Sequence, residues 1–104
     1  MLAEPMELLE LEDGDTLTFR VTRWEKEETI IKPAHAPQGK VVTVLRVHVP
    51  IAEKPIFPQY WDITSKRAIA QLLPWLQKPG FEMKTFKLTK LGVKPTAHFM
   101  LAVA

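Results

Sequence analysis

The sequence predicts a small all-β domain with one helix, in the order strand, strand, strand, helix, strand, strand. Three observations carry that prediction. Residues 16–26, TLTFRVTRWEK, alternate apolar and polar side chains with the two-residue period of a strand. Residues 41–49, VVTVLRVHV, are dense in β-branched side chains. Only SKRAIAQLLPWLQK repeats its apolar residues at helical spacing. Nine prolines and four glycines fall mostly between these segments, as punctuation should.

Each element has its own justification. In the first strand Leu17, Phe19 and Val21 share a face, and unbroken alternation puts Arg20, Thr22 and Trp24 on the other. EETIIKPAHAPQGK, residues 27–40, holds two prolines and a glycine and reads as a long loop, with Thr29 to Lys32 extended as the alternative. The second strand places Leu45, Val47 and Val49 opposite Arg46 and His48. After the proline-broken IAEKPIFP, QYWDI makes a short third strand, in which neighbours point to opposite faces. Trp61 and Ile63 are assigned to the core, and Tyr60 with Asp62 to the outside. Thr64 or Ser65 caps the helix, whose Ile69, Leu72, Leu73 and Leu76 form one face. Pro74 is expected to bend or shorten it, and Trp75 to plug the bottom of the domain. FEMKTFKLTKL, residues 81–91, is the fourth strand. Its Lys84, Lys87 and Lys90 read as a basic edge that discourages aggregation. GVKPT turns the chain into the last strand, AHFMLAVA.

Charge is distributed unevenly. Residues 1–15 hold six acids and no base, while the remainder holds fourteen bases and six acids, a net of +8. The expected organisation is an acidic N-terminal arm over residues 1–15 and a single domain over 16–104. Such a basic body suits a polyanionic partner. The chain has no cysteine, which excludes disulfides, thiolate metal sites and cysteine nucleophiles. No apolar run reaches the ~18 residues of a spanning helix, and the acidic start is unlike a secretory signal. The expected location is cytoplasmic, in the host cytoplasm if the protein is viral.

The element order, together with YWDITSKRAIAQL and FKLTKLGVKPTAHFMLAV, resembles that of OB-fold proteins that bind single-stranded nucleic acid. The resemblance is to small replication-associated members from phages and microbes, and it covers residues 15–104. It implies a five-stranded Greek-key barrel with a helix between its third and fourth strands. It also implies a ligand surface on strands two and three and on the loops joining strands one to two and four to five. Carried onto this chain, that surface comprises Arg46 and His48 on the second strand and Tyr60 or Trp61 on the third. Lys26, Lys32, His35 and Lys40 lie around the first loop, and Lys90, Lys94 and Thr96 around the last.

A single strand presents flat bases and a charged backbone, so its site needs aromatic platforms beside cations. Trp24 and Tyr60 are the candidate platforms; Arg20, Arg46, Lys26, Lys40, Lys90 and His48 are the candidate backbone contacts. Each has a plainer reading. Trp24 can cover the edge of the domain, and charged strand faces are often merely solvated. His35, His48 and His98 lack ligand spacing, so no metal site and no cofactor are expected. No nucleophile elbow, phosphate loop or paired-carboxylate motif occurs, so no enzymatic activity is expected.

The expected function is binding of single-stranded DNA with little sequence preference during replication or recombination. RNA shares every feature used. One barrel spans few nucleotides, so a homodimer or higher oligomer would raise affinity. The acidic arm is a solubilising or packed segment, a polyanion mimic competing for the basic face, or a docking peptide for a replication protein. The rival function is a protein–protein interaction module on the same barrel, such as a viral accessory protein, inhibitor or assembly adaptor. Its apolar anchors would be Ile30, Ile31, Ile56 and Phe57. Convergence of Trp24, Arg20 and Arg46 on one open groove would separate the two.

Overall fold

The computed structural model describes residues 7–31, 38–92 and 97–104. Lys32, His35, Lys94 and Thr96 lie outside them, in segments 32–37 and 93–96 of the first and last loops to which they were assigned. Among the described residues the chain forms six strands and one α-helix. These are β1 (Thr16–Arg20), β2 (Arg23–Ile31), β3 (Lys40–His48), β4 (Tyr60–Ile63), α1 (Lys66–Leu76), β5 (Thr85–Leu91) and β6 (His98–Val103). They make two antiparallel three-stranded sheets, ordered β1-β5-β6 and β2-β3-β4. The expected five-stranded Greek-key barrel is therefore corrected to six strands in two sheets that share one core.

The difference begins at Val21 and Thr22. The strand expected over 16–26 bends there, sending β1 to β5 and β2 to β3. The bend also shifts the alternation by one residue, which moves side chains to the other face. Phe19 and Val21 are core, yet so is the side of Trp24, which sits opposite core residue Val47. β2 then runs on to Ile31, through Glu27 and Glu28, which were expected to be loop, and through Thr29 to Ile31, where the extended alternative holds. Its Glu25 to Ile31 have a full set of partners on β3, and that pairing overrides their weak strand propensity.

Between the sheets lies one core, built from Phe19, Val21, Leu45, Val47, Val49, Ile63, Phe86 and Leu88, with Ala68, Ile69, Leu72 and Leu76 of the helix. Phe19 stacks on Phe86 at 5.9 Å and meets the edge of Trp61 at 6.3 Å. Ser65 is the N-cap, its hydroxyl accepting from the Ala68 amide. The helix passes through Pro74 to Leu76 without being shortened. Ala70 and Pro74 are both exposed, so water can take the carbonyl that the missing N–H leaves. Trp75 does not plug the bottom of the domain; it is among the exposed large apolar residues, with the Lys78 ammonium 4.4 Å from its ring. Gly80, at φ +86°, turns the chain into a single 3-10 turn over Phe81–Met83, so the strand expected from 81 starts at Thr85.

β5 is the centre of its sheet, so its lysines do not guard an edge. The edges are β1 and β6, and the helix covers the β6 edge. Gln71 donates to the Phe99 carbonyl and accepts from the Leu101 amide, and Arg67 donates to the Ala97 carbonyl. The outer edge of β4 is taken by the N-terminal leader through a parallel bridge between Leu8 and Asp62. β4 and β6 do not pair, and a cleft lined by residues of both sheets lies beside the leader.

Candidate nucleic-acid interface

The outward face of β2, β3 and β4 carries the densest polar cluster. Register places Glu25, Arg46 and Asp62 in one row across the three strands, and Arg23, His48 and Tyr60 in the next. Opposite charges facing each other across strands attract, and the first row alternates acid, base, acid. The Arg46 guanidinium is 2% exposed and makes a two-pronged ion pair with fully buried Asp62, at 2.7 and 2.9 Å. It also lies 3.9 Å from the centre of the Tyr60 ring. The hydrogen bond that Arg46 donates to Asp62 raises the Arg46 pKa above its ordinary value, against the opposing effect of burial.

This cluster corrects the expected site at several positions. Tyr60 and Asp62 do face away from Trp61 and Ile63, but both are buried, so Tyr60 presents no open ring to a base. His48 is half-buried, 2.8 Å from the Glu25 carboxylate and packed on Tyr60. Trp24 is half-buried on the core side, where its indole N–H donates to the Leu76 carbonyl at the end of the helix. Arg20 lies in the other sheet, held by Glu53 at 2.8 Å. That hydrogen bond and the Glu53 charge raise its pKa. Trp24, Arg20 and Arg46 thus occupy three separate surroundings and do not converge on one groove.

The lysines behave differently. Lys26 stands exposed on β2, away from the others. Lys40 and Lys90 come together, joined by Lys66, around the cleft beside the leader, of about 870 Å³. The cleft lies at the roots of the loops between β2 and β3 and between β5 and β6, and Phe99 is the aromatic in its lining. Among the described residues none of these three lysines makes a side-chain hydrogen bond or ion pair. Lys66 went unnoticed in the sequence because, at the first helical position, it reads as an ordinary solvated residue.

The leader forms the remaining wall. Glu7 and Leu9 exchange backbone hydrogen bonds with Asp62, and the Glu7 amide donates to the Asp62 carboxylate. Leu9 and Leu11 pack on the core. The chain then turns at Gly14, φ +88°, whose amide donates to the Lys90 carbonyl. The Lys90 amide in turn donates to the Asp15 carbonyl. Residues 7–15 are thus held against β4 and β5, in keeping with the reading of the arm as a packed segment.

No group of metal-ligating residues gathers among the described residues, and no helix there is long and apolar enough to cross a membrane. Comparisons with protein families, with curated proteins and with solved structures find no match.

Proposed function

We propose that this protein binds single-stranded DNA, without enzymatic activity, through the lysine-rimmed cleft of a partly open OB-like barrel. The observation that carries the reading is the convergence of Lys40, Lys66 and Lys90 on one cleft at the roots of two loops, none of them engaged by an acid among the described residues. Counted as halves of one bent strand, β1 and β2 reduce the six strands to five. The helix then falls between the third and fourth, which supports an OB-like architecture. In such barrels the same two loops flank the ligand. The strand face beside them is filled here by the Arg46–Asp62 cluster, so the proposed surface lies on the loop side.

With Phe99 the only aromatic of the lining among the described residues, stacking contributes little and phosphate contacts dominate. Binding should therefore be tolerant of sequence and strongly salt-dependent, the properties of a protein acting in replication or recombination. Fluorescence anisotropy of a labelled thymidine oligomer of about twenty nucleotides tests this. Saturable binding that weakens with salt, and is lost in Lys40→Glu/Lys66→Glu/Lys90→Glu, is the expected result. Absence of binding at low salt would overturn it.

A second reading has its own observation. Ile51, Ile56 and Phe57 are 67%, 75% and 78% exposed on the connection between β3 and β4. That connection is held in shape by Lys54, which donates to the carbonyls of Ile56 and Pro58, and by Gln59, which donates to the Lys54 carbonyl. An ordered loop displaying apolar side chains suits a protein partner. Under this reading Phe57→Ser abolishes partner binding, and wild-type protein leaves DNA unbound.

A further inference from the structure

We propose that Glu10 and Glu12 of the leader act as a built-in counter-charge for the DNA-binding cleft, lowering its affinity for single-stranded DNA. This inference rests on the cleft being the DNA-binding surface. From Leu8 to Glu12 the leader alternates in exposure, with Leu9 and Leu11 partly buried and Leu8, Glu10 and Glu12 exposed. The leucines fix the strap to the core, and backbone hydrogen bonds fix its ends to Asp62 and Lys90. Glu10 and Glu12 are thereby held in the lining of the same cleft as Lys40, Lys66 and Lys90.

The leader's acids divide by what they do. Asp13 accepts from the Gly92 amide and Asp15 from the Glu12 amide, so both shape turns. The carboxylates of Glu10 and Glu12 make no hydrogen bond or ion pair among the described residues. They stabilise no turn and bridge to no lysine there, yet with Asp15, also in the lining, they place three negative charges beside three positive ones. A phosphodiester entering the cleft meets both signs. Charges within about 10 Å of one another interact measurably at moderate salt and are screened as salt rises. Because the strap is pinned, the counter-charge stays when DNA arrives, so it sets affinity without having to move away.

The test compares two variants of the full chain that carry the same change in net charge. Glu10→Gln/Glu12→Gln alters the cleft, whereas Glu28→Gln/Glu82→Gln alters exposed acids outside its lining. Thermal melting of the first should match wild type, since neither carboxylate holds the fold together. It should bind the thymidine oligomer about three- to tenfold more tightly at low salt, and the gain should fade by about 0.3 M salt. The control pair should stay close to wild type. Equal gains in both variants would reduce the effect to net charge and overturn the proposal. An unchanged affinity in Glu10→Gln/Glu12→Gln, with Lys40→Glu/Lys66→Glu/Lys90→Glu still abolishing binding, would overturn it and leave the DNA reading standing. Binding by none of the proteins would remove both.

Discussion

Arg46 and Asp62 give up the hydration of two ions, and the two-pronged geometry and the Tyr60 ring offset that cost only while both partners are present. Arg46→Met should therefore destabilise the protein by about 3–5 kcal/mol in urea denaturation, because it leaves Asp62 buried without its counter-ion. Arg46→Met/Asp62→Leu should recover most of that loss. The raised pKa of Arg46 fixes the sign of the pH dependence. A base whose folded pKa lies above its unfolded value stabilises at every pH below the unfolded value, and loses that contribution only above it. The coupling energy from a double-mutant cycle should accordingly be equal at about pH 7 and about pH 10. Trp24 makes a complementary case. Trp24→Phe should cost about 1 kcal/mol for the missing bond to Leu76 and leave DNA affinity unchanged. Strict alternation set Trp24 among the polar residues, and one residue of bend at Val21–Thr22 reversed that assignment. Side-chain facing was legible only as far as the strand stayed regular.

At the scale of elements, local pattern was a better guide. β3, β4, α1 and β6 form within a residue or two of their expected bounds, since each is marked by periodicity, a cap or a flanking proline. What no local pattern holds is which edges stay free, because an edge is defined by a missing neighbour. Lys84, Lys87 and Lys90 looked like edge protection, yet β5 is central and the β6 edge is guarded by Gln71 and Arg67 from the helix. Gln71→Ala should uncover the Phe99 carbonyl and the Leu101 amide, costing about 1–3 kcal/mol. It should also open a strand edge to pairing between copies. Analytical ultracentrifugation of that variant should show concentration-dependent association beyond that of wild type.

Over the whole molecule, the net charge of +8 behind the leader overstates what a ligand meets. Arg20 and Arg46 are tied to Glu53 and Asp62, and Arg23 lies 3.9 Å from Glu25. The lysines of the cleft are what remains in one place. The sequence made Lys40 and Lys90 visible as loop-flanking cations, but not their approach to Lys66 or to the leader's glutamates, which depends on long-range pairing. If DNA enters there, Lys40→Glu/Lys90→Glu should weaken binding about equally for all sequences. It should also flatten the slope of log affinity against log salt by about 0.7 for each phosphate no longer neutralised.

The claim that the lysine-rimmed cleft is the contact surface is tested most directly by following backbone amide resonances during titration with the same thymidine oligomer. Shifts confined to the rim of the cleft, at Lys40–Thr43, Ser65–Lys66, Lys90 and Phe99, are the expected result. Shifts centred on Arg46, His48 and Tyr60, or on Ile51, Ile56 and Phe57, would contradict it, as would a spectrum that DNA leaves unchanged.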